Sequence, residues 1–223
     1  MRIFRKRKQK NRGRKDIVLY GAGGMGREIV VLIRAINSVK KRYNILGFVD
    51  DTRTGTVNGL PTLGDKTWLL AHKDSVVCAC TVGYASVREK IITEMEAQGV
   101  TFETLVHPGV YIDPTVKIGA GTIIQSTCGI SVNIEIGKGV FLNCGTNLGH
   151  DAMVGDFSVC FPRVQVSGGC RIGQCVTVGS MSFLYSGVSV GDGAVITPGS
   201  VVLKNVKENA YVMGNPAHTV EIG

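Results

Sequence analysis

The chain has no apolar run approaching the ~18–20 residues of a membrane span, and none of its seven cysteines stands at zinc-type spacing from another. There is no acidic residue among the first fifteen, and only one tryptophan in 223 residues. The first lack excludes a helical membrane protein, so a soluble chain is expected. A secretory signal is excluded too, because the basic start runs directly into the short strand DIVLYG with no apolar segment between them. An odd number of scattered cysteines (Cys78, Cys80, Cys128, Cys144, Cys160, Cys170, Cys175) argues against a disulfide framework and for reduced thiols in the cytoplasm.

What is present is unevenly placed. Nine of the 25 basic residues lie in MRIFRKRKQKNRGRK, and the remaining 16 face 17 acidic ones. A formal charge of +8 therefore does not describe the body of the protein, which is nearly neutral and lacks the footprint of a nucleic-acid-binding domain. Residues 1–15 are expected to be a disordered, solvated tail. A weak attraction to anionic lipid is the alternative.

From Asp16 the pattern changes to IVLYGAGGMGREIVVLIRAI, a strand, a glycine turn and a helix with Ile29, Ile33 and Ile36 on one face. A second strand, NILGFVDD, ends in Asp50 and Asp51. Gly21, Gly23 and Gly26 stand in G-x-G-x-x-G order, with Gly24 beside them, and Asp50 follows Gly26 by 24 residues. Such glycines let the backbone approach a phosphate while the helix directs unpaired N–H groups at it, and the acid can accept from a ribose or base. The bland alternative is that the glycines only permit tight packing of helix on strand. The strand SVVCACTVG and the helix ASVREKIITEMEAQG complete a Rossmann-like α/β domain over 16–105. It is small for a dehydrogenase and no hydride-transfer apparatus follows, so a bound nucleotide is expected but not a redox one.

A second domain, 106–205, repeats every six from about residue 110. Ile112, Ile118, Ile124, Ile130, Ile136, Leu142, Leu148, Val154, Val166, Ile172, Val178, Leu184, Val190, Ile196 and Val202 hold one frame of sixteen hexads, broken only at Cys160. A period of six is neither helical nor a simple alternation, so each hexad predicts one short strand and a bend, and three make a coil of a parallel β-helix. Gly often follows the aliphatic residue, and a small residue often precedes it by two, as at Thr122, Ser158 and Ser182. Both choices suit a tight corner. Residues 206–223 close the prism.

His150 is the one histidine inside the repeats, near a corner and followed by Asp151. The pair can work as a general base steadied by a carboxylate, or be an idle surface histidine. A single repeat histidine cannot supply a three-histidine metal site, so no metal is expected.

The repeats, GHDAMVGD and MGNPAHTV resemble hexapeptide-repeat acyltransferases. With GAGGMGREI, FVDD, VGYASVREKI and LVHPGVYIDPTVKIGAGTII added, the chain is similar to the sugar O-acyltransferases of the sialic acid O-acetyltransferase type, a group that includes bacterial nucleotide-amino-sugar N-acetyltransferases. The resemblance implies a left-handed prism, a homotrimer with sites between prisms, acetyl-CoA as cosubstrate along the seam, and a nucleotide-sugar acceptor on the amino-terminal domain. It places the base at His150 with Asp151, and an acceptor-side polar residue at Asn143. Gly168 would turn its N–H to the thioester oxygen, Gly214 and Pro216 would lie beside the CoA tail, and Lys204 and Lys207 could attract its phosphates. No cysteine matches a nucleophile, so direct transfer is expected. Relatives often carry His where this chain has Met25 and Val159, which bears on the choice of acceptor.

The expected function is therefore acetyl transfer to an amine, or a hydroxyl, of a nucleotide-linked sugar in surface-glycan synthesis. Alternatives are an O-acetyltransferase of a free sugar such as sialic acid, a nucleotide-binding oxidoreductase, and a catalytically silent scaffold.

Overall fold

A computed structural model describes residues 13–221. The expectations for the basic tail fall almost wholly on residues 1–12 and lie outside the described residues.

Ile17, Val18 and Leu19 are consecutive and fully buried, the mark of a strand covered on both faces, and β1 (Lys15–Tyr20) has a paired strand on each side in its sheet. The other elements are α1 (Gly24–Val39), β2 (Tyr43–Val49), β3 (Thr56–Val57), β4 (Leu60–Gly64), α2 (Lys66–His72), β5 (Val77–Cys80) and α3 (Ala85–Ala97). The strand order is β3-β4-β2-β1-β5, parallel except for the β3–β4 hairpin. Ile17 and Leu19 meet Ile29, Ile33 and Ile36 of α1 on one face. Val18 and Tyr20 meet Leu69 of α2 and Ile92 and Met95 of α3 on the other. The hairpin turns through Asn58 and Gly59, both at positive φ, as a two-residue loop between twisted strands requires.

The chain then enters a three-sided, left-handed parallel β-helix. Its first face runs from Lys117–Ile118 to Ser189–Val190 and its third from Gly129–Ile130 to Val201–Val202. The second face begins already at β6 (Leu105–Val106) and ends in the pair Tyr211–Met213 and His218–Thr219. Partners in neighbouring coils are 18 residues apart, as in Glu135↔Met153 and Asn147↔Gln165. The frame-keeping aliphatic residues and Cys160 form one core. Full burial of each Val, Leu or Ile contributes about 1.5–3 kcal/mol.

Two details differ from the expectation of tight corners. The small residue two places earlier points inward as well, and its hydroxyl stitches coils together. Thr122 Oγ1 donates to Gly137 O at 2.7 Å and accepts from Val140 N at 3.1 Å. Ser158 does the same with Gly173 O at 2.7 Å and Val176 N at 2.9 Å. The glycine after the inward residue does not supply positive φ. A Cβ at Gly119, Gly155 or Gly179 would stand 2.4–2.5 Å from backbone of the next coil, so close stacking excludes a side chain. The left-handed corner residue comes three before the inward one, for example Gly121, Gly139 and Asp151.

The amino-terminal domain lies on the second face. Leu105, Ile123, Phe141 and Val159, outward on that face, are fully buried against it. Val159 is therefore seam, not cleft wall, and its apolar character follows from that burial.

Candidate active site

The glycine loop is built by three different constraints. Gly21 turns at φ +113, and Gly26 has no room for a Cβ, which would stand 2.2 Å from Gly21 O. Gly23 is the residue preceding α1, which has neither a side-chain cap nor an acid in its first turn, so its first N–H groups are available to an anion. Gly21, Gly23, Gly24 and Met25 line a cleft of ≈ 450 Å³ with Asp50, Arg53, Thr81 to Tyr84, and Phe161 of the prism. Arg53, Phe161 and the 81–84 loop were not anticipated.

Asp50 lies in this cleft, but its oxygens are engaged. Oδ2 accepts from Ala22 N at 2.8 Å, and Oδ1 from Thr52 N, Thr52 Oγ1 and Arg53 N at 2.8–3.0 Å. Burial alone would raise its pKa, yet these hydrogen bonds outweigh it and hold the carboxyl below its ordinary value. Asp50 thus shapes the loop. Asp51 turns away from the cleft, accepting from Tyr20 Oη at 2.6 Å and Lys66 N at 3.1 Å. Burial, reinforced by that bond, drives the Tyr20 phenol far above its ordinary pKa.

His150 and Asp151 stand on the edge between the third and first faces, with Asp151 in the left-handed corner position at φ 60. His150 Nδ1 is 2.8 Å from Asp151 Oδ2. The bond to His150 and then that from Asn133 Nδ2, at 3.1 Å, hold the Asp151 carboxyl below its ordinary range. An ionised Asp151 only accepts, so Nδ1 carries a hydrogen, and in the neutral ring it is Nε2 that holds the lone pair. The ring lies over Gly168 one coil further on, where a Cβ would be 2.5 Å from Nε2. Gly168 N has no hydrogen-bond partner among the described residues. Asn133 was not anticipated, although its place 18 residues before Asp151 is one full coil.

The predicted residues thus fall into two groups within a chain. His150, Asp151 and Gly168 share the third–first edge, and Lys204 is in the same column three coils on, about 14 Å away at ~4.8 Å per coil. The glycine-loop cleft abuts Phe161 on the second–third edge, and Asn143 is one coil below Phe161, 8% exposed, with Oδ1 accepting from Cys144 N at 2.7 Å. Gly214 and Pro216 sit in the turn over Val201, at the end of the third face. That face separates the groups and carries a groove of ≈ 490 Å³ lined by Ser131, Asn147, Gln165, Ser167 and Phe183 among others.

Residues 16–95 match the family model described as the PglD N-terminal domain. Over 210 residues, 91% of this chain and 95% of the relative, the sequence is 30% identical to GDP-perosamine N-acetyltransferase of Escherichia coli O157:H7. Among solved structures it is similar to the acetyltransferase domain of PglB from Neisseria gonorrhoeae in complex with acetyl coenzyme A, with a TM-score of 0.86, 27% identity, and coverage of 93% of this chain and 100% of that one. PerB from Caulobacter crescentus, in complex with CoA and GDP-perosamine, shares the fold at a TM-score of 0.86 and 22% identity, covering 92% of this chain and 97% of that one.

Proposed function

The chain belongs to the hexapeptide-repeat sugar acetyltransferases, and we propose on that premise that it transfers acetyl from acetyl-CoA to an amine of a nucleotide-linked sugar, with His150 as general base. The observation that carries this reading is the imidazole held at Nδ1 by Asp151 with Nε2 bare over Gly168. Membership of a family of acetyltransferases sets aside the oxidoreductase and the silent scaffold. The nucleotide end of the acceptor fits the cleft, where the N-terminus of α1 and Arg53 offer positive charge to a diphosphate. This favours a nucleotide-linked sugar over a free one.

Acetyl-CoA supplies the activated acyl group. Nε2 takes the proton that the amine must lose as its nitrogen bonds to the acyl carbon, and the C–S bond breaks with its electron pair leaving on sulfur as the CoA thiolate. Asp151 offsets the charge rising on the ring. The Gly168 N–H beside the ring, without a partner among the described residues, supports a role in meeting negative charge on the acyl oxygen. Lys204, in the same column, supports a path for the CoA phosphates along this edge.

Because the cleft and His150 occupy opposite edges of the third face, the reading needs a neighbour. Three prisms with third faces toward a common axis bring the His150 edge of one copy against the cleft edge of the next. Exposed Phe183 on this face, with Met181, Tyr185 and Leu203 at its edges, supports burial there. The first face instead carries the Lys117–Glu135 ion pair and Arg171. A homotrimer working in surface-glycan synthesis in the cytoplasm is the assembly and setting we adopt.

The test offers acetyl-CoA with nucleotide amino sugars, GDP-perosamine among them, and monitors free thiol. His150→Ala should lower the rate by about 10²–10⁴, and undiminished turnover would overturn the assignment of the base.

A further inference from the structure

Arg88 of α3 is fully buried, and no carboxylate is bonded to it among the described residues. Its guanidinium instead donates to four carbonyls in two domains. Nη1 reaches Cys80 O at 2.7 Å and Val82 O at 3.4 Å, at the end of β5 and in the loop after it. Nε donates to Gly139 O, and Nη2 to Gly121 O at 3.4 Å, the left-handed corner residues of two successive coils. Its Cζ also lies 6.0 Å from the centre of the Phe141 ring in the seam.

Loop 81–84 forms a wall of the cleft, and Phe161, across from Gly83, belongs to the prism. The width of the cleft is therefore set by how this loop is held relative to the prism. The apolar seam of Ile29, Ile123, Phe141 and Val159 supplies adhesion, but apolar contact is not directional and permits sliding. A planar fork with five donors fixes both partners at once. Burial disfavours the charged form and lowers the Arg88 pKa, so a bare cation is tolerated here only because the carbonyls surround it.

We infer that Arg88 is a positioning residue that holds the 81–84 wall of the acceptor cleft in register with the prism. The inference rests on the proposed acceptor site but adds a residue that touches neither substrate. With Arg88 removed, the acceptor should bind in a loosened cleft, while the donor edge around His150 and Gly168 keeps its geometry.

The experiment compares wild type with Arg88→Met and Arg88→Lys. KM for GDP-perosamine and for acetyl-CoA would be measured, together with amide exchange by mass spectrometry. For Arg88→Met we expect acceptor KM to rise about tenfold or more, with acetyl-CoA KM unchanged within about twofold. Exchange should accelerate at 80–84 and 119–121 but not at 147–170. Arg88→Lys, which keeps the charge but not the fork, should fall between, and it carries the comparison alone if Arg88→Met does not fold. Unchanged acceptor KM, or equal rises in both KM values with exchange accelerated throughout, would overturn the inference. If wild type acetylates no nucleotide sugar the proposed acceptor is wrong, and the exchange pattern still decides whether Arg88 holds the loop.

Discussion

Gly168→Ala tests the placement of the base without touching the base. An alanine Cβ would stand 2.5 Å from His150 Nε2, 2.6 Å from Cε1 and 3.0 Å from Cδ2, where ordinary contact begins near 3.4 Å. The ring must move by about 1 Å, and a displacement of that size at a reacting group costs about 10² in rate. The backbone at Gly168 is outside the left-handed region, so alanine adopts it without strain. The His150 side chain is 68% exposed, so the ring can swing into solvent. Stability should therefore change by no more than about 0.5 kcal/mol. The alanine N–H also remains, which separates loss of the base from loss of a donor to the acyl oxygen. Initial rates of thiol release and a thermal melt read the two sides. Gly168→Ala should lower kcat by about 10–10² with Tm nearly constant, and adding it to His150→Ala should cost little more, because both act through one group. Full activity in Gly168→Ala, or additive losses in the double variant, would refute the geometry on which the base is assigned.

Phe183→Glu places a charge on the third face and should shift the proposed trimer toward monomer in sedimentation, with transfer lost although His150 is untouched. Gly179→Ala puts a Cβ 2.4 Å from Pro198 N in the next coil and should cost about 1–3 kcal/mol in chemical denaturation, as overpacking does. Asp50 has a depressed folded pKa, so its contribution to stability is complete above its unfolded value of about 4 and is lost as pH falls through the lower folded value. Asp50→Asn should therefore be less stable than wild type at pH 7 and nearly equal to it once both are below that range, measured as denaturation midpoints against pH. A constant difference down to the acid end would show that the charge on Asp50 is not what organises the glycine loop.

The repeat domain was legible because each hexad encodes its own strand and bend, and coils three hexads long place like on like without any distant contact. Ile118, Ile136 and Val154 reveal their stacking by spacing alone. The glycine loop and the His150–Asp151 pair were readable for the same reason, since their partners are near in sequence. Within that local order, two physical causes were misassigned. The glycines after the inward residues answer to the next coil's backbone, and the small residues before them are buried stitches, neither of which a single turn displays. The Asn58-Gly59 hairpin was signalled by its residue pair and overlooked. Only the tertiary structure decided that Val159 lies in a seam, that Phe161 and loop 81–84 close the cleft, that Arg88 joins the two domains, and that the cleft and His150 stand on opposite edges of one face. Those facts depend on how the α/β domain docks on the prism. Docking is governed by surface shape and by hydrogen bonds between positions tens of residues apart, and no periodicity along the chain records it.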